Sequence, residues 1–275
     1  MNNELKRILC YLNEKHGLDF FGYRASMVQR RVGQRFLFTK CKNYDEYYAY
    51  LLENPDELNN LIDALTINVS RFFRNSLAFE YMADRILPAI CHRKKETGDH
   101  SLRVWSAGCS MGEEAYSIAI LVHEFLKEET LKLGVNIFAT DIDGKILEKA
   151  QQAVFPFESM KDVKFRFLKK YFSFTENAFQ LMPEIRDRVL FSVYDLLDNK
   201  SSVPSESIFG DFDMVLCRNV LIYFNTAYQD KIFDKLYRAL TQHGYLVLGE
   251  AEIPSPKYER YFRRVNDCCH IYQKI

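Results

Sequence analysis

Charged and hydroxyl side chains collect where apolar runs end. Arg74 closes LTINVSRFFR; Glu113 and Glu114 follow RVWSAGCSMG; Asp141 and Asp143 close VNIFATDID. Asp195 follows the apolar run 189–193, and Arg218 and Asn219 follow FDMVLC, with Tyr223 four residues past Asn219. Two carboxylates at the start of a helix make a poor pyrophosphate site, because like charges would face each other. They suit a ligand with positive charge and hydroxyls, such as a sulfonium nucleoside. The plainer alternative is that both are solvated first-turn residues favoured by the helix dipole. An acid at the end of a second strand is where nucleotide folds bind ribose hydroxyls. Asp141, nearer the strand end, is the candidate; Asp143 better suits an N-cap. Asp195 reads as a partner for an adenine amino group, with Leu196 covering the ring.

These positions require strands that end at one edge. Arg103 to Tyr116 gives the pattern: a short buried strand, a turn of small residues containing Gly108 and Gly112, then helical periodicity from Glu113. Such a turn is expected to bring backbone N–H groups close to a ligand. It lacks the dinucleotide G-x-G-x-x-G, which disfavours a nicotinamide oxidoreductase. Strands at 103–107, 135–140, 189–193, 212–217 and 245–249 alternate with helices at 113–127, 144–152 and 226–240, which implies an α/β fold with a parallel sheet. Segments 261–265 and 270–273 read as an antiparallel hairpin at the sheet edge. The stretch at about 153–188 breaks the alternation, and VKFRFL, YFSFT and AFQLM within it suggest a small inserted β-element.

Before the sheet, residues 1–85 read as a helical domain and 86–275 as the second domain. The periodicity predicts helices with Leu5, Ile8, Leu9 and Leu12 on one face, then at 23–37, 44–53, 55–66 and 77–91, with a polar loop at 94–100. Val28, Val32 and Phe36 form one line of the 23–37 helix, while Arg24, Arg31 and Arg35 fall on another stripe. Two adjacent phenylalanines are unusual in a linker, so the stretch before Arg74 is expected to be packed and to face a site.

Formal net charge is zero over 275 residues, so no global field points to nucleic acid. The charge is uneven: residues 15–42 hold seven Lys/Arg and one acid, and residues 43–63 hold six acids and no Lys/Arg. That asymmetry implies a local partner. The seven cysteines form no C-x-x-C pair, which with no visible signal peptide reads as a reduced, cytoplasmic protein with buried thiols. No apolar run approaches the roughly 20 residues of a membrane span, and no metal-ligand cluster is evident.

LTINVSRFFR, RVWSAGCSMGEEAYSIAI, ATDID, FDMVLCRNVLIYF and GYLVLGEAE, in this order after a helical domain, resemble the CheR-type chemotaxis protein methyltransferases over essentially the whole chain. The resemblance implies an N-terminal helical bundle, a Rossmann-like class I methyltransferase sheet and a small antiparallel β-subdomain. It implies methyl transfer from S-adenosylmethionine to glutamate side chains of chemoreceptors, leaving S-adenosylhomocysteine. Cofactor roles fall on Asn68, Ser70, Arg74, Gly108, Glu113, Asp141, Asp195, Leu196, Arg218 and Asn219. Arg74 and Tyr223 would lie near the transferred methyl. Receptor methylation helices in this family's substrates are acidic, so Arg24, Arg30, Arg31 and Arg35 would dock them.

Three departures stand out. The usual N-x-T reads Asn68-Val69-Ser70, which keeps the hydroxyl. The usual Asn after the third core strand is Asp195, which accepts from an adenine amino group but cannot donate to a ring nitrogen. Some members dock a receptor C-terminal pentapeptide on a glycine-containing loop of the β-subdomain; the matching stretch 171–179 has no glycine, which speaks against that docking. Two further readings compete. A non-catalytic cofactor sensor would explain the departures. A nucleic-acid methyltransferase lacks an N-P-P-Y or D-P-P-Y segment for a flipped base. A glutamate side chain is ionised at neutral pH, so methyl transfer to it requires no general base.

Overall fold

A computed structural model describes residues 3–66, 69–129, 132–198, 201–207 and 209–275. The chain starts with α1 (Asn3–His16), α2 (Ala25–Thr39), α3 (Tyr44–Glu53) and α4 (Pro55–Leu65). Their starts follow local chemistry. The Asn43 side chain accepts from Glu46 N at the head of α3, and Pro55 opens α4, where a missing N–H is harmless. Leu5, Ile8, Leu9 and Leu12 of α1 meet Val28 and Val32 of α2, Tyr47 and Leu51 of α3, and Leu58, Leu61 and Leu65 of α4 in one core.

A second helical stretch runs through α5 (Ser76–Tyr81), a π-helical turn (Met82–Ile86) and α6 (Leu87–Thr97). It passes beyond the expected end at Cys91 and stops at Gly98, whose φ of 68° closes it. The expected loop at 94–100 is therefore helical to Thr97. Lys94 is buried there between Asp99 at 2.5 Å and Asp213 at 2.8 Å. Phe79, Met82, Ile86, Leu87 and Ile90 pack in the core of the sheet, not with α1–α4.

The remaining elements are β1 (Ser101–Ala107), α7 (Glu113–Glu128), β2 (Gly134–Asp141), α8 (Gly144–Gln152), β3 (Val154–Phe155), α9 (Phe165–Tyr171), β4 (Phe172–Thr175), β5 (Ala178–Leu181), α10 (Pro183–Arg186), β6 (Val189–Val193), β7 (Phe212–Cys217), α11 (Thr226–Ala239), β8 (Leu240–Leu248), β9 (Phe262–Arg264) and β10 (Ile271–Lys274). The main sheet runs β6-β2-β1-β7-β8-β10-β9. Its first five strands are parallel, and β10 and β9 turn antiparallel at the edge. Alternate residues serve opposite faces. Val104, Ile137, Met214, Leu216 and Val247 face α5–α7 and the insert. Trp105, Phe138, Val215, Cys217 and Leu246 face α11. The order turns back between β1 and β7, so their carboxyl ends open a crevice.

The insert forms a second sheet, β3-β5-β4, antiparallel throughout. Within it, most of VKFRFL is not a strand: Phe165 begins α9, with Phe167 buried in the core. Leu240 likewise belongs to β8 and not to the preceding helix. Of the seven thiols, Cys91, Cys109, Cys217 and Cys269 are buried, whereas Cys10 and Cys268 are exposed and Cys41 is half-buried. No described helix is long and apolar enough to cross a membrane, and no described cluster of His, Cys, Asp or Glu could hold a metal.

Candidate functional site

The carboxyl ends of β1, β2 and β7 open into a cleft of about 950 Å³, counting its open mouth. Asn68 lies outside the described residues. Ser70, Arg74, Gly108, Asp141, Asp195, Leu196, Arg218, Asn219 and Tyr223 all line the cleft. Glu113 does not. It is buried behind the wall, where Ser159 Oγ donates to its Oε1 at 3.1 Å. Burial pushes its carboxyl up, against hydrogen bonds from Ser159 and Ser70.

The segment before Arg74 is anchored by its phenylalanines. The Phe72 ring sits edge-on to Phe155 and Phe172, and Phe72 N donates to Ser159 O at 3.1 Å. Phe73 N donates to Ser117 Oγ at 2.9 Å. With both rings buried, Arg74 is left at the rim, and its Nη1 donates to Val69 O at 3.3 Å.

The small-residue turn does not offer its N–H groups to a ligand. Gly108 N and Cys109 N donate to Thr140 O at 2.8 and 2.9 Å, and Ser110 N donates to Asp141 Oδ2 at 2.9 Å. The end of β2 therefore takes the donors that a phosphate would need. Gly108 has a φ of 75°, and a Cβ there would lie 2.5 Å from Val220 Cγ2, so the turn and the loop after β7 touch with no space between. Asp143 caps α8, accepting from Lys145 N at 3.0 Å and Ile146 N at 3.3 Å.

The cleft is rich in acids, with Glu114 buried and Asp141 and Asp195 half-buried. Burial pushes the Asp141 carboxyl above its ordinary range, against bonds from Ser110 N and Asp143 N. Asp195 is pushed the same way by burial, and its Oδ1 accepts from Leu197 N at 2.7 Å. Glu114, for which the sequence left both a ligand-facing and a solvated reading, is buried and lines the cleft. Its Oε1 accepts from Ser106 Oγ at 2.8 Å and its Oε2 from Arg218 Nη1 at 3.2 Å. Arg218 Nη2 continues to Arg74 O at 2.7 Å, with the guanidinium over the Phe79 ring. This chain ties the head of α7, the end of β7 and the Arg74 segment together. The cue in the sequence was Ser106, eight residues before Glu114 and near the end of β1.

Asn219 and Tyr223 do not share a helical face. Asn219 has a φ of 61° and Tyr223 ends a short 3₁₀ turn, so a loop brings both to the cleft. Burial raises the Tyr223 phenol, opposed by Arg74, Arg31 and Arg30. The N-terminal domain reaches the same loop. Arg24 N donates to Tyr223 O at 2.8 Å, Arg24 Nε to Phe224 O at 3.2 Å and Asn225 N to Gly22 O at 3.0 Å. Tyr23 and Phe224 also line the cleft.

The four arginines of the expected docking set separate. Arg24 and Arg30 are exposed and Arg31 is half-buried. Arg35 points away to α4, with Nε 3.0 Å from Glu57 Oε1 and Nη2 on Glu57 Oε2. Tyr47 OH completes that cluster, donating to Glu57 at 2.9 Å. A second, polar bay shares Arg71, Arg74, Arg218 and Asn219 with the cleft and adds Asn75, Asp162 and Glu250.

Residues 3–66 match the family described as CheR methyltransferase, all-alpha domain, and residues 68–268 match CheR methyltransferase, SAM binding domain. Chemotaxis protein methyltransferase 1 of Pseudomonas aeruginosa is 37% identical over 256 residues, covering 91% of this chain and 90% of the relative. Chemotaxis protein methyltransferase 2 of Vibrio cholerae is 35% identical over 253 residues, covering 90% and 84%. The chemotaxis protein methyltransferase of Borreliella burgdorferi is 28% identical over 253 residues, covering 91% and 88%.

Proposed function

The chain belongs to the CheR methyltransferase family, and we propose that it methylates glutamate side chains of chemoreceptors in the cytoplasm, forming glutamyl methyl esters. The observation that carries this reading is that Arg74, Asn219 and Tyr223 line the same cleft as Ser110, Asp141 and Asp195. The described residues fit S-adenosylmethionine. Ser110 Oγ and Arg218 Nε are buried with no hydrogen-bond partner among the described residues, which leaves them for a polar ligand. Asp141 stands at the end of β2, where it would accept from ribose hydroxyls. Asp195 with Leu196 would hold the adenine. Acids in the cleft, with the N–H groups of Gly108, Cys109 and Ser110 already taken, favour a cationic ligand over a phosphate.

When bound, the cofactor supplies an electrophilic methyl on a sulfonium. The protein's part is to bind, orient and desolvate. Arg74 would pair with the incoming carboxylate and aim it without quenching it. Tyr223 keeps its proton at neutral pH, because burial raises its phenol, so it acts as an O–H donor at the mouth. The bay walled by Arg71 and Arg74 is the entry we assign to the acidic acceptor. Positioning of this kind contributes up to roughly 7–11 kcal/mol toward the barrier. Exposed Arg24 and Arg30, with Arg31, would dock an acidic receptor helix. Arg35 is taken up by Glu57.

The test is incubation of the protein with methyl-labelled S-adenosylmethionine and a chemoreceptor cytoplasmic fragment. The expected label sits on glutamate and leaves as methanol in mild alkali, because esters hydrolyse there. Asp141→Ala should abolish labelling. Label that survives alkali, or that sits on lysine or arginine, would overturn the glutamate assignment.

A further inference from the structure

Glu252, in the GEAE segment after β8, lines neither the cleft nor the bay, and it is almost fully buried at 4% exposure. Its carboxylate is satisfied by backbone alone. Oε2 accepts from Gly249 N at 2.7 Å and Asn219 N at 2.8 Å, and Oε1 accepts from Ile222 N at 3.2 Å. His270 Nδ1 contacts its carbonyl oxygen. Two of the three donors belong to the loop that carries Arg218, Asn219 and Tyr223. The loop turns through the left-handed region at Asn219, φ 61°, which asparagine adopts more readily than most side chains, and the carboxylate ties down the backbone at that turn and three residues after it.

We propose that Glu252 is a positioning residue for the cofactor site. From behind the sheet edge it fixes the loop 218–223 and sets Asn219 and Tyr223 against the cleft. Only an ionised carboxylate accepts on both oxygens and donates on neither. Glutamine would turn an NH₂ group toward backbone N–H donors. Position 249 gives an independent handle. A Cβ there would lie 2.7 Å from Glu252 Oε2 and 2.8 Å from Asn219 N, so alanine would press on the same junction without altering the carboxylate. The role of Tyr223 in this inference rests on the acceptor chemistry proposed above; that of Asn219 rests on cofactor binding alone.

The experiment compares full-length wild type, Glu252→Gln and Gly249→Ala. S-adenosylhomocysteine is titrated calorimetrically, amide exchange is followed site by site, and kcat and the acceptor KM are measured. Both variants should bind the ligand roughly tenfold more weakly, the scale of one lost charge-assisted hydrogen bond. Amides of Asn219 and Ile222 should exchange faster, while those of Val215 and Leu216 in β7 keep their protection. kcat should fall with little change in acceptor KM. Wild-type affinity in folded Glu252→Gln would overturn the proposal. So would exchange that rises evenly through β7 and the loop with affinity intact, which describes a merely structural residue. If Glu252→Gln does not fold, Gly249→Ala decides: unchanged affinity and kcat overturn the proposal. If wild type binds the ligand but makes no glutamyl ester, the acceptor reading fails, and the affinity and exchange results still judge Glu252.

Discussion

The acidic wall of the cleft and the basic wall that α2 adds outside it are built in opposite ways. On the sheet side, Glu114 is buried and Asp141 and Asp195 are half-buried, and all three carboxylates are held by hydrogen bonds from nearby backbone or from Arg218. On the α2 side, Arg24 and Arg30 are exposed cations beside the cleft and not in its lining. Desolvated charges interact strongly and fix geometry, whereas solvated ones are screened and act mainly on encounter and register. The difference predicts a division of labour: the first wall sets cofactor affinity and stability, and the second sets how the acceptor arrives.

The sharpest way to break that division is Glu114→Ala. It leaves the Arg218 guanidinium buried without its carboxylate, and Arg218 Nε has no partner among the described residues already. Removing one member of a buried pair costs about 3–5 kcal/mol, which urea unfolding at pH 7 would read. Cofactor affinity should fall with it, because Arg218 also holds Arg74 O. Glu114→Gln should recover part of both, since an amide oxygen still accepts from Ser106. A folded Glu114→Ala with wild-type stability would mean the buried wall is not the rigid one.

The same division explains what could be read from the sequence. Strand ends followed by acids and amides are local patterns, and they marked Asp141, Asp195, Leu196, Arg218 and Asn219, all of which line one cleft. The succession of strands along the chain and the insert were legible because each apolar run is a local pattern, whereas the order of the strands in the sheet was not. Pairings between distant elements were not. Nothing local says that Arg35 turns to Glu57 while Arg24 meets Phe224, some 200 residues away. A helical wheel gives a face and not what covers it. The turn at Gly108 shows the same limit: the small residues were visible, but that Thr140 takes their N–H groups depends on strand pairing. Glu252 was missed because an acid in a turn is usually solvated, and the pairing of Glu114 with Arg218 was missed because it joins distant residues; only the packing shows the two acids buried.

On the second wall the expected effect is smaller and of another kind. Arg30→Glu with Arg31→Glu should raise the acceptor KM about tenfold at low salt, shrinking toward wild type as salt rises. kcat at saturation and S-adenosylhomocysteine affinity should hold. Arg35→Ala sharpens the contrast. It should leave the KM alone and lower stability by about 1–3 kcal/mol, because it strips Glu57 of a bidentate partner in a mostly buried cluster. An equal loss of cofactor binding in the double variant would merge the two walls into one. A KM effect in Arg35→Ala would restore it to the docking face.

The smallest effect is one of pH, and it separates the walls by charge chemistry. Burial raises the Asp141 and Asp195 carboxyls above their ordinary 3.8. A group raised on folding favours the folded state most when protonated. This contribution to the stability of the free protein is therefore fully present below 3.8 and is lost as pH rises through the folded value. Acidification from neutrality to just above 3.8 should then stabilise the free protein at these two sites. Cofactor binding should run the other way. A protonated Asp141 loses its attraction for a sulfonium, so affinity should fall several-fold over the same interval. Asp141→Asn should bind more weakly at pH 7 and show a flatter profile below it. The opposite wall presents guanidinium groups, which as a class keep their charge throughout, so Arg30→Glu with Arg31→Glu should leave the affinity profile unmoved. Calorimetric titration with S-adenosylhomocysteine, whose sulfur is neutral, should show a shallower dependence than S-adenosylmethionine. Equal slopes for the two ligands would mean that the acids of the first wall act through hydrogen bonds to the ribose and not through charge.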